Sequence, residues 1–153
     1  MTRDPAAAPQ LPLGTDISSN EGRKETTYVN NIAETVIATT AAPQPVGSYH
    51  QGRRIGSLVQ VSGQLGLAEG AESVADQTRV ALQRVSAVLT AAGTRWDRVL
   101  TVRVHLAADD LFEEFDATYG AVVPQPYPAR ITVASGLAPG ALVEIDALAV
   151  VGE

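Results

Sequence analysis

The chain has 153 residues, 45% of them apolar, which is enough for one domain with one core and too little for a second catalytic domain. A formal net charge of -6 with a single lysine, Lys24, leaves no basic stripe to neutralise a phosphate backbone, so no nucleic-acid partner is expected. The absence of cysteine excludes disulfides, thiolate metal sites and a cysteine nucleophile.

Charged residues or glycines interrupt every hydrophobic stretch, and no export signal is apparent, so no membrane partner and a cytoplasmic location are expected. Residues 1–33 carry Pro, Gly, Asn and Ser without a sustained period. They are read as an N-terminal extension, poorly ordered or in contact with a neighbouring subunit, ahead of a domain at residues 34–153.

Thr35 to Thr40 is short and β-branched, a strand broken by the two prolines of the loop from Ala41 to Gly47. Leu58 to Gly63 is a second strand, with Gln64 to Leu67 as the return arm of a hairpin. Ser73 with Asp76 three residues on is an N-cap with an acid at N3, and Gly93 is a left-handed stop. Between them Val74, Thr78, Ala81, Leu82, Val85, Val88, Leu89 and Ala92 form a helical stripe, with Gln77, Arg79, Gln83 and Arg84 on the polar side.

Val99 to Leu106 alternates as a half-buried strand, with Val102, Val104 and Leu106 on one face and Thr101, Arg103 and His105 on the other. Asp109 and Asp110 lead a second helix with Leu111, Phe112, Phe115, Tyr119 and Val122 on one side, ending before Pro124. Ile131 to Ala134 and Leu142 to Val151 are the last strands. Apolar stripes facing one way on both helices predict one sheet covered on one face, and hence oligomerisation over the other.

His50 and His105 have no acidic companion at ligand spacing, so no metal is expected, and no phosphate-binding glycine loop or nucleophile elbow occurs. The remaining candidate is Arg130, which opens a strand, with Glu144 in the strand after it. If these two strands form a hairpin with an even register sum, Arg130, Thr132, Glu144 and Asp146 share a face, and a slip of one separates them. An arginine fork beside carboxylates can take a carboxylate ligand through two parallel hydrogen bonds, or it can be an intrasheet salt bridge on a solvated face.

Six segments occur in a distinctive order: Val36 to Thr39 with Val46-Gly47-Ser48-Tyr49-His50-Gln51-Gly52, then Val61-Ser62-Gly63-Gln64, Gln77-Thr78 with Leu82, Ala91-Ala92-Gly93, Tyr127-Pro128-Ala129-Arg130, and Pro139 to Ala147. Their order and spacing over residues 36–151 resemble the reactive intermediate deaminase (Rid) family. The resemblance implies an α+β, chorismate-mutase-like subunit with one mixed six-stranded sheet, two helices on one face, and a homotrimer with clefts between subunits. It also implies hydrolysis of enamine or imine intermediates to a keto acid and ammonia, without a cofactor, on a small-molecule carboxylate substrate. The competing expectation is a catalytically idle trimer that binds a carboxylate metabolite or a protein partner.

By that resemblance Arg130 clamps the substrate carboxylate and Glu144 handles the attacking water or only holds Arg130. Tyr49, Ser62 and Gly63 line the cleft, and Thr132 stands where members often have a small residue or cysteine. Three features depart from the family. Ser48 and His50 flank Tyr49, which makes His50 a proton shuttle if it faces the cleft. Asp116 replaces a common asparagine and adds a negative charge near an anion site. The shortened stretch from Leu65 to Val74, with Val122-Val123 in place of an aromatic pair, opens the rim.

Overall fold

The computed structural model describes residues 33–152, so the extension expected over residues 1–33 lies outside them but for its last residue. The chain runs β1 (Glu34–Ile37), β2 (Gly52–Ile55), β3 (Leu58–Leu65), α1 (Val74–Ala91), β4 (Val99–Leu106), α2 (Phe112–Val122), β5 (Ala129–Ala134) and β6 (Val143–Val150), with one-turn 3-10 helices at Trp96–Arg98 and Asp109–Leu111. One six-stranded sheet results, in the order β1-β2-β3-β6-β4-β5. It is mixed because β4 and β5 run parallel while the other pairs are antiparallel.

Helix α1 starts and stops where the caps require. The Ser73 hydroxyl accepts from Asp76 N–H at 3.1 Å and donates to the Asp76 carboxylate at 2.7 Å, and Gly93 takes φ +77° beyond the end. The helix stripe and the sheet residues Val59, Val61, Val102, Val104, Val143, Ile145, Ala147 and Ala149 are buried in one core cluster with Phe115 and Tyr119 of α2. Both helices therefore cover the same sheet face.

Four expectations are corrected. Gln64 to Leu67 is not a return arm: β3 continues through Gln64 and ends at Leu65, and its hairpin partner is β2, joined by the Gly56-Ser57 turn with Gly56 at φ +60°. Gln77 is not on the polar side but is 3% exposed, donating to Ala71 and Gly140 carbonyls and accepting from Leu142 N–H. Phe112 and Val122 leave the buried side of α2 and are exposed.

The fourth correction matters most for function. Strands β5 and β6 do not pair, because β4 lies between them. Arg130 is opposite Val102 and Thr132 opposite Val104, whereas Glu144 is opposite His105 and Asp146 opposite Arg103. Residues paired across a sheet share a face and neighbours along a strand alternate. Arg130 and Thr132 thus lie with Val102 and Val104 on the helix-covered face, and Glu144 and Asp146 on the open one. The intrasheet Arg130–Glu144 bridge cannot form within a protomer.

Candidate functional site

The site residues fall into two groups on opposite faces of the sheet. The first surrounds Glu144. Strand β3 has a bulge here: Val61 pairs Ala147 and Gln64 pairs Ile145, so the Ser62-Gly63 step carries one residue more than β6 does. At this corner a side chain on Gly63 would overlap the Glu144 carboxylate, so only glycine lets that carboxylate lie against the backbone. The Ser62 hydroxyl donates to the His50 carbonyl at 2.6 Å, which ties the bulge to the loop that carries Tyr49.

That loop is held from beneath by Gln51, 3% exposed, whose amide donates to the carbonyls of Thr39, Ala42 and Pro43 and accepts from Thr39 N–H. Tyr49 stands half-exposed above it and, with Ser62, Gly63 and Glu144, lines an open cleft of about 400 Å³ completed by Gln60, Val61, Arg103 and Asp146. His50 enters through its carbonyl, and its ring is not among the residues lining this cleft.

The two cleft carboxylates differ in their hydrogen bonding. Asp146 is engaged, accepting from Arg103 Nε at 2.8 and 3.0 Å and from Gln60 Nε2 at 3.3 Å. No hydrogen bond or ion pair from a described residue reaches the Glu144 carboxylate, which leaves both its oxygens for water or a ligand. On its other side Glu144 shares a second opening with His105, Ser135, Gly136 and Leu137, where His105 Nδ1 lies 3.0 Å from Ser135 Oγ.

From the sequence His105 is weighed only as a metal ligand, and Arg103 and Gln60 do not stand out as cleft residues. The alternation of β4 had placed His105 and Arg103 together on the face away from the core, and only the neighbouring strand's identity was missing. Behind Tyr49 a further cavity of about 230 Å³ is lined by Pro43, Val46, Leu65 and Leu67, with Arg84 bridging to the carbonyls of Leu65 and Leu67. Burial lowers the Arg84 pKa.

The second group surrounds Arg130 beneath α2. Its guanidinium carbon lies 4.7 Å from the centre of the Tyr119 ring, 5.4 Å from Phe115 and 5.9 Å from Phe112, an aromatic cradle that fixes the plane of the fork. One nitrogen donates to Asp116 Oδ1 at 2.7 Å. The Tyr119 hydroxyl and Thr132 Oγ1 are buried without a partner. Burial, first of all, pushes the Tyr119 phenol up to about 12, with Arg130 opposing and Asp116 reinforcing the shift. Val123, expected at the rim, is 3% exposed and belongs to the core.

Among the described residues no three His, Asp or Glu side chains converge as a metal-ligand set. The arrangement offers an unengaged carboxylate in an open cleft and, on the reverse face, a cation packed against aromatic rings with one nitrogen held by Asp116. A cation that fixes a ligand and a carboxylate that holds water suit hydrolysis of a polarised double bond, provided the two groups come from different copies.

Comparison with known proteins bears on the same question. The sequence pattern of the family described as endoribonuclease L-PSP matches residues 39–151. A 2-iminobutanoate/2-iminopropanoate deaminase of Dermatophagoides farinae is 30% identical over 122 residues, covering 76% of this chain and 95% of that protein. The chloroplastic Reactive Intermediate Deaminase A of Arabidopsis thaliana is 32% identical over 126 residues, covering 78% of this chain and 67% of its own length. Among solved structures, E. coli TdcF with bound serine superposes with a TM-score of 0.72 at 30% identity, covering 77% of this chain and 99% of TdcF.

Proposed function

The chain belongs to the reactive intermediate deaminase (endoribonuclease L-PSP) family, and on that footing we propose that it is a cofactor-independent hydrolase of enamine and imine intermediates of the 2-imino acid type. The observation that carries this reading is the unengaged Glu144 carboxylate held at the Gly63 corner, beside an Asp146 whose oxygens are already occupied.

The reaction starts with tautomerisation of the enamine to its imine, whose carbon is the electrophile. Glu144 orients a water and takes one of its protons as the oxygen bonds to that carbon, while the C=N π pair moves to nitrogen and is protonated there, giving a carbinolamine. The carbinolamine then loses its hydroxyl proton and its nitrogen gains one as the carbon–nitrogen bond breaks, releasing ammonia and leaving the ketone. Arg130 holds the substrate's head group, a carboxylate in 2-imino acids, so that the carbon faces the water. General-base help of about 10²–10⁴-fold suffices for a bond that also hydrolyses unaided.

Because Arg130 and Glu144 lie on opposite sheet faces, the reading includes a homotrimer in which one copy's Arg130, Thr132 and Asp116 meet another's Tyr49, Ser62, Gly63 and Glu144. Ile55, Leu58, Ile131 and Val133, exposed apolar residues in the described chain, supply surface for such packing. Residues 1–33 form an extension to this domain, and a cytoplasmic location, to be checked by fractionation, belongs to the same reading. Ribonuclease activity is not favoured, since the net charge is -6.

The test is to generate 2-iminopropanoate or 2-iminobutanoate in situ and follow its loss. The wild type accelerates the loss, Glu144→Gln lowers kcat by about 100-fold or more, and Arg130→Ala raises KM. No acceleration by the wild type, or rates unchanged in both variants, refutes the proposal and leaves the idle, ligand-binding alternative.

A further inference from the structure

Building on the deaminase reading, we propose that Asp116 sets the substrate's head group: the Arg130 anchor prefers an imine bearing an uncharged carboxamide to one bearing a carboxylate. Arg130 already has a carboxylate. Its nitrogen donates to Asp116 Oδ1 at 2.7 Å, and the side chains are 22% and 50% exposed, so Asp116 stands on the solvent side of the cation it neutralises.

The guanidinium cannot readily turn to meet a second anion. Tyr119 lies over it at 4.7 Å with Phe115 beside it at 5.4 Å, and both rings are themselves buried. Arg103, the cation on the adjoining strand, faces the other side of the sheet and is bound to Asp146. An incoming carboxylate must therefore displace Asp116 or settle next to it, and like charges at such separations repel.

A carboxamide meets no such conflict. Its carbonyl oxygen can accept from the Arg130 N–H groups that Asp116 does not use, and its amino group can donate to Asp116 Oδ2, which accepts no hydrogen bond from a described residue. A site that presents a donor beside an acceptor rejects a ligand with two acceptors, because one of its own groups is left unpaired. Solvent around the half-exposed Asp116 limits the discrimination to about tenfold rather than the far larger factors of a closed pocket.

The experiment measures calorimetric binding of two stable ketones, 2-oxobutanoate and 2-oxobutanamide, to the wild type and to Asp116→Asn, which keeps the shape and removes the charge. The wild type binds the amide about tenfold more tightly than the acid, and D116N gains about tenfold or more for the acid. A wild type that prefers the acid, an acid-to-amide ratio that D116N moves by less than about threefold, or no binding of either compound overturns the proposal. Neither ketone is turned over. An intact switch without deaminase activity therefore refutes only the deaminase reading, and turnover without the switch refutes only the head-group assignment.

Discussion

The Tyr119 phenol shows how closely the anchor's surroundings are tuned. Its hydroxyl is buried without a partner and its pKa is pushed up to about 12 from 10.0, chiefly by burial. A group with a raised folded-state value contributes stability that is present below pH 10 and lost as the pH climbs through 12. Tyr119→Phe should therefore leave stability at neutral pH unchanged or higher, since it deletes an unsatisfied polar atom, and should flatten the alkaline loss. Urea midpoints of both proteins from pH 8 to about 12 check this. At this scale the sequence was informative about identity and silent about placement. Its candidates Arg130 and Glu144 pair with Val102 and His105 on one intervening strand, positions an odd number apart, which puts them on opposite faces.

Among the elements, α1 and β4 were legible because each carries a long, regular period and α1 has a cap at both ends. Strand β2 is not legible in the sequence because Gly52-Arg53-Arg54-Ile55 contains one large apolar residue and no alternation. The conditional β5–β6 hairpin does not form, because α2 carries the chain from β4 to a parallel β5 and β6 then pairs with β4 on its other side. Gln77 reads as exposed because it is polar in a helix, yet its amide secures the loop before β6 by two hydrogen bonds and the Ala71 carbonyl ahead of α1 by a third. Gln77→Ala should cost about 2–4 kcal/mol, because it removes these bonds and leaves Gly140 and Leu142 backbone groups unpaired. Chemical denaturation measures that loss, and Gln77→Glu, which keeps only the acceptor toward Leu142, should recover part of it.

For the whole molecule, the division of the site between two sheet faces makes assembly a condition of activity in the proposed reading. Arg130→Ala and Glu144→Gln subunits, each impaired alone at substrate well below KM, should regain activity under that condition when unfolded together and refolded as a mixture. Random assembly at equal ratio places an intact Arg130 against an intact Glu144 in about a quarter of the clefts. Recovery near a quarter of the wild-type rate fits the shared cleft, and a mixture no more active than its parents contradicts it. Light scattering on the mixture reads the assembly state independently.

The surplus residue at Ser62-Gly63 sets what this chain can lose without losing its shape. Deleting Gly63 would bring Val61 and Gln64 into ordinary register with Ala147 and Ile145 while every later side chain keeps its face. The sheet would become more regular and the corner that admits the Glu144 carboxylate would vanish. If Glu144 acts as proposed, a one-residue deletion is thus a short route from a catalyst to a regular sheet that has lost its catalytic corner.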